Sequence, residues 1–234
     1  MKNITALALV WLLALVPALA QTAPEVRSVG NFTSVEVSSG IELRLAAGQP
    51  QRVEASADTP EMLARIKTEV RDGVLKITFE HKLNEAWSKD NRPRGLKVNV
   101  TAAALNGIKA TSGARVEVAN SYATTNLEIE ASSGAVLKGS FTADDVKARV
   151  NSGGVATMAG TIKRLDVKAS SGGMFKGDDL KVTACEASAS SGGNVAVAVQ
   201  ETLTADASSG GDVRYSGSPK VTKHTSSGGS VKGR

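Results

Sequence analysis

Aromatic residues are scarce in this 234-residue chain: Phe, Tyr and Trp together make up 3%. Deep cofactor pockets are commonly lined by such rings, each of which buries a large area. Their scarcity argues against such a pocket and for a thin core of small side chains. The single cysteine, Cys185, excludes an internal disulfide and a zinc site built from several thiolates. The only two histidines, His81 and His224, are too few for a His-rich metal site and read as surface residues. No cofactor and no metal are expected. Hydrophobic residues still reach 41% and charged residues 22%, the composition of a folded chain rather than a disordered one.

The chain opens on an address. Lys2 gives a minimal positive start, residues 4–20 carry no charge, and small residues stand at Ala18 and Ala20. This is the pattern of a secretory signal peptide cleaved after Ala20, so the chain is expected to be exported, to the periplasm, the outer surface or the medium. No cysteine follows the leader to take a lipid, and no later segment is apolar enough to span a membrane. Without the leader, 214 residues remain with 27 bases and 23 acids, a net charge of +4. The densest basic runs, Lys163-Arg164 and Arg92-Pro93-Arg94, have no interleaved aromatics. Nucleic acid is therefore not an expected partner, whereas acidic glycans or membranes suit a weak, spread positive charge.

The second half is repetitive. Thr-Ser-Gly-Ala at 111–114, Ser-Ser-Gly-Ala at 132–135 and Asn-Ser-Gly-Gly at 151–154 are followed by Ser-Ser-Gly-Gly at 170–173, 190–193, 208–211 and 226–229. Their first glycines are separated by steps of 18–21 residues, and twelve of the 23 glycines fall in these seven copies. Each copy follows a run with period two, such as Leu127, Ile129, Ala131 or Leu165, Val167, Ala169. Period two marks a strand with one buried face. A unit this short cannot bury that face alone, so successive units must stack. The expected fold is all-β: a parallel β-helix, or β-solenoid, of about seven coils. Ser-Ser-Gly-Gly then forms each corner, with Gly supplying positive φ and the serines a stacked hydroxyl ladder. Cys185 shares an inward column with Leu165 and Leu203 and reads as a small core residue.

The first half has a different grammar. Residues 32–45 carry one early corner, Ser38-Ser39-Gly40, between two alternating runs. Thr59-Pro60-Glu61 predicts a short helix over 60–65 with Thr59 as N-cap. Asp72-Gly73 between alternating runs predicts a hairpin. Residues 84–94 read as a polar loop, and Leu96, Val98 and Val100 as a strand. The chain thus divides into a leader (1–20), an N-terminal β-rich cap (21–104) and the repeats (105–234). At the far end, Lys223 stands where an apolar inward residue belongs, which protects an open sheet edge.

Phe32 to Leu45, the run Thr68-Glu69-Val70-Arg71-Asp72-Gly73-Val74-Leu75, Leu105-Asn106-Gly107-Ile108 and the Ser-Gly corners together resemble the auto-transporter adhesin head GIN domain family. The resemblance covers roughly residues 30–215. It implies a right-handed parallel β-helix in an exported protein of Gram-negative bacteria and supplies no catalytic motif. Because cap and repeats occupy the 214 residues, no C-terminal membrane barrel is expected.

Few residues stand out as sites. Asp144-Asp145 and Asp178-Asp179 are paired acids before strands, suited to calcium or to acid/base work on polysaccharides, or simply to solvated bends. The calcium repeat Gly-Gly-x-Gly-x-Asp is absent. Trp87, in the polar loop, is a candidate contact anchor, with packing onto the cap as its alternative. The expected function is non-enzymatic: surface adhesion, envelope structure or glycan binding. A polysaccharide-degrading β-helix enzyme and an envelope sensory domain acting through a protein partner are the alternatives. End-to-end stacking of solenoids is a possible route to oligomers.

Overall fold

The computed structural model describes residues 23–81 and 94–234. The expected leader, and Trp87 with nearly all of the loop around it, lie outside the described residues. The chain runs β1 (Glu25–Val26), β2 (Ser34–Val37), β3 (Glu42–Ala47), β4 (Arg52–Ser56), α1 (Pro60–Arg65), β5 (Ile66–Arg71) and β6 (Val74–Phe79). Next come β7 (Lys97–Ala102), β8 (Gly107–Ala110), β9 (Arg115–Val118) and β10 (Tyr122–Ala131). The repeats form the long strands β11 (Val136–Val150), β12 (Val155–Ala169), β13 (Met174–Ala189) and β14 (Asn194–Ala207). The chain closes with β15 (Asp212–Ser216), β16 (Lys220–Thr225) and β17 (Ser230–Gly233). It is a β-solenoid of about seven turns, as the repeat spacing predicts.

Stacking is parallel and in register. Ile108, Ile129, Ala148, Val167, Ala187 and Ala205 form one inward column, and Lys223 ends it, exposed. Within a coil such as β12 the inward residues are Ala156 and Met158, then Ile162, then Leu165, Val167 and Ala169. The alternation is interrupted at Gly160, which has φ 108°, and shifts parity once, between Ile162 and Leu165. With the Ser-Gly corner these places mark three bends in the coil.

The corners differ from expectation in an informative way. The second serine, and not only the glycine, is left-handed: Ser171 has φ 49° and Gly172 φ 73°. Ser39, Ser112, Ser133, Ser152, Ser191, Ser209 and Ser227 do the same. A left-handed non-glycine residue costs about 1–2 kcal/mol. What the conformation gains is a backbone ladder. The Gly172 N–H donates to the Ser191 carbonyl of the next coil at 3.3 Å, and Gly113, Gly134, Gly153, Gly192 and Gly210 donate likewise. The turn itself is closed by the Gly173 N–H on the Ser170 carbonyl at 2.8 Å. Amides therefore carry the corner ladder that the sequence suggested for hydroxyls.

The fourth corner residue tapers along the stack. In register order it is Leu96, Ile41, Ala114, Ala135 and then Gly154, Gly173, Gly193, Gly211 and Gly229, with the first four buried. A Cβ at Gly173 would collide with the Val150 carbonyl of the preceding coil. The inward space at this corner closes step by step away from the N-terminal end.

The core also admits rings. Tyr122, Phe141 and Phe175 are among its largest fully buried side chains. Phe141 lies in register between Tyr122 and Gly160, and its ring fills the space of the missing Gly139 side chain: a Cβ there would lie 2.8 Å from the ring. Few aromatics therefore reflects few wide positions rather than a uniformly narrow core.

The N-terminal half is threaded out of order. The β2–β3 coil lies between two layers made later: β6 and β7 on one side, β8 and β9 on the other. Beyond β7, β4 pairs antiparallel, and β5 pairs antiparallel with β6 through the hairpin predicted at Asp72-Gly73. Helix α1 begins as predicted, with Thr59 accepting from the Met62 N–H at 3.3 Å.

If the preceding coil sets the fourth corner position, Gly173→Ala lowers stability by about 1–3 kcal/mol through overpacking. Ala135→Gly, in an open corner, costs about 0.5–1 kcal/mol through chain entropy. Urea unfolding of both variants checks this, and a Gly173→Ala variant as stable as the parent refutes it.

Candidate binding faces

The two strands that flank each Ser-Gly corner turn rows of side chains to solvent, one rung per coil. On the face leading into the corner, acid and base alternate up the row Lys76, Glu36, Lys109, Glu130, Arg149. These charges satisfy one another. Lys109 sits 3.8 Å from both Glu36 and Glu130, and Arg149 pairs with Glu128. Alternation of this kind favours the register of the stack and leaves little net field outside.

The face leaving the corner is different. Its outward cations are Lys97, Arg44, Arg115, Lys138, Lys176, Arg214 and Lys232, against three acids, Glu42, Glu117 and Asp212. Arg214 pairs with Asp212 at 3.2 Å. The salt bridges among the described residues include none of the other six. Beside the cations runs an apolar row: Val136, which is 39% exposed, then half-buried Val155 and Met174. Two shallow troughs lie along this face. One of about 440 Å³ is lined by Leu43, Arg44, Lys97 and Arg115, and one of about 170 Å³ by Phe175, Lys176 and Arg214.

The paired acids do not come together. Asp144 and Asp145 lie on β11, where Asp144 is 2.7 Å from Lys163 and Asp145 takes two hydrogen bonds from Arg164. Those bonds from the guanidinium hold the Asp145 carboxyl below the usual carboxylate range, so it stays ionised at neutral pH and is no general acid. Asp178 and Asp179 lie two coils away and at the other bend, since Asp179 registers with Ala159 and Asp145 with Arg164. Asp178 pairs with Arg234 at 2.7 Å and Asp179 is exposed. Among the described residues no three His, Cys, Asp or Glu side chains are grouped to hold a metal ion.

Cys185 lines a third trough, of about 380 Å³, on the corner-leading face, but is itself 6% exposed. Burial, with Asp166 and Glu186 adding to it, pushes its thiol up to about 12. His81 packs its ring edge against Phe79, with centroids 5.3 Å apart.

Sequence reasoning missed this row of outward cations. Their signal is positional: Lys138, Lys176, Arg214 and Lys232 each stand three residues after the fourth corner position. Aligning the repeats on that position, rather than reading local charge density, brings the row out.

Compared with known proteins, residues 31–219 match the model of a family described as "Putative auto-transporter adhesin, head GIN domain". A solved "putative adhesin" of Bacteroides fragilis superposes with a TM-score of 0.80 at 19% identity, covering 91% of this chain and 96% of that one. A "putative adhesin" of Parabacteroides distasonis gives 0.70 at 20% identity, covering 91% and 96%. A "putative lipid binding protein" of the same organism gives 0.61 at 19% identity, covering 90% and 96%. At these identities the likeness establishes the fold. No curated protein matches the chain.

The raised Cys185 thiol has a measurable consequence. The buried neutral thiol contributes stability that is fully present below the unfolded-state value of about 8.5 and is lost as pH rises toward the folded value. In iodoacetamide labelling at pH 8, Cys185 is expected to react slowly in the native protein and quickly in urea. Equal rates in both states contradict this burial.

Proposed function

The chain belongs to the auto-transporter adhesin head GIN domain family, and on that premise we propose that it is an exported, non-enzymatic attachment domain that holds an extended surface polymer against its flat sheet faces. Export rests on the leader over residues 1–20. Among the described residues no helix is long and apolar enough to cross a membrane. The observation that carries the reading is the in-register stacking of the outward rows. In-register stacking repeats each contact about every 4.8 Å, which matches a ligand that repeats along its own length better than a compact small molecule.

A polysaccharide-cleaving reading needs two carboxyl groups facing each other across one bond, roughly 5–9.5 Å apart. Asp144, Asp145 and Asp178 instead engage cations, on bends two coils apart. The family description and the names of the two adhesin neighbours speak for attachment rather than turnover.

A glycan array together with binding to bacterial and host cells tests the proposal, with parallel assays for release of reducing ends. Binding without product release is expected. Replacing Asp144, Asp145, Asp178 and Asp179 by Asn should leave binding within about twofold, since surface ion pairs contribute little. Product release that disappears in the fourfold variant would establish the enzyme reading instead.

A further inference from the structure

We infer that the corner-leaving face is the docking surface and that its occupant is an extended polysaccharide with about one acidic group per two sugars. The inference rests on the attachment reading and narrows it to one face and one ligand chemistry. Three observations point there. First, Lys138, Thr157, Lys176, Ala196 and Arg214 succeed one another in one row, so from Lys138 to Arg214 cations fall on every second rung, with Lys232 following on the terminal rung. Two rungs span roughly 9.6 Å, the order of length of one disaccharide in an extended chain, so one carboxylate per disaccharide meets one cation per two coils.

Second, Lys138 and Lys176 make no ion pair among the described residues and only Arg214 of the three is paired, with Asp212, whereas most cations of the corner-leading row are already engaged by neighbouring acids. Unpaired cations in a row raise the local concentration of a polyanion and its rate of capture. Third, the neighbouring row of Val136, Val155 and Met174 offers an apolar strip against which the non-polar face of a sugar ring can lie. Of these side chains only Val136 is exposed, with Val155 and Met174 half-buried. A membrane-inserting surface requires apolar groups that reach into the acyl boundary, and this strip exposes a single valine. The face therefore suits a polymer laid along the solenoid axis better than a bilayer.

The test uses the full exported chain and hyaluronan, which carries one carboxylate per disaccharide. Neutral dextran and vesicles of phosphatidylglycerol and phosphatidylcholine serve as comparisons. Hyaluronan binding is expected to weaken steeply between low and physiological salt. A Lys138→Glu, Lys176→Glu, Arg214→Glu variant should lose about tenfold or more in affinity. Lys147→Glu, on the other face, and Lys138→Arg with Lys176→Arg should each stay close to the parent. Should the triple reversal fail to fold, Lys138→Gln with Lys176→Gln reads the same loss with a milder change.

Binding of the vesicles but not hyaluronan, lost in the same variants, overturns the glycan assignment in favour of a lipid surface. Binding of the parent to cells or neutral glycans that survives the triple reversal overturns the face assignment and leaves the attachment reading standing. Absence of binding to any cell, polymer or vesicle overturns both.

Discussion

The structure depends on one backbone interaction: the amide ladder that runs up the Ser-Gly corners. Each coil must turn sharply and still offer a donor and an acceptor to its neighbours. Two successive left-handed residues do both. They reverse the chain within four residues, and they aim a glycine N–H and a serine carbonyl along the stack. The strain at each serine is about as large as the net gain of one good hydrogen bond. The corner is therefore close to neutral by itself, and its return lies in the register it imposes. Once the corners align, every apolar residue two, four and six positions before them falls into a column. The core then follows from sequence spacing.

Register also decides the surface. In a parallel in-register stack a charged residue faces its counterpart one rung away, so like charges in a column repel and opposite charges attract. The corner-leading face answers this by alternation, with Lys109 bridging Glu36 and Glu130. The corner-leaving face answers it by dilution, setting Thr157 between Lys138 and Lys176, and Ala196 between Lys176 and Arg214. The first solution engages most of its cations internally. The second keeps them apart from Lys138 to Arg214, with only the terminal Lys232 directly beside another cation, and leaves them available to something else. The two faces share one architecture, so the difference lies in the side chains alone.

How much of this was legible in the sequence follows from the range of each interaction. The corners, the Asp72-Gly73 hairpin and the Thr59-Pro60 helix start are local, set by residues within four positions, and the structure has them where the sequence puts them. The left-handed serines were not legible, because serine tolerates that region poorly and only the stacked neighbour makes it worthwhile. Nor were the buried rings: Phe141 takes the space that a Cβ at Gly139 would need, and Val118, which would meet that same Cβ, comes from a neighbouring coil. The acid pairs looked like sites because they are adjacent in sequence. Their partners Lys163, Arg164 and Arg234 come from other coils, and that pairing depends on register.

The threading of the β2–β3 coil has a consequence for time rather than for space. That coil is made first, yet one of its sides is covered by β6 and β7 and the other by β8 and β9. A chain emerging from its N-terminus therefore has no complete layer until residue 118 has appeared. Non-local pairings of this kind are slow to form, because the intervening loop must be closed before any contact rewards it. Every later coil needs only the one before it, as in other repeat arrays. Assembly is thus one slow closure followed by a fast zipper, and substitutions in β2 or β3 belong to the slow step while those from β11 onward belong to the fast one.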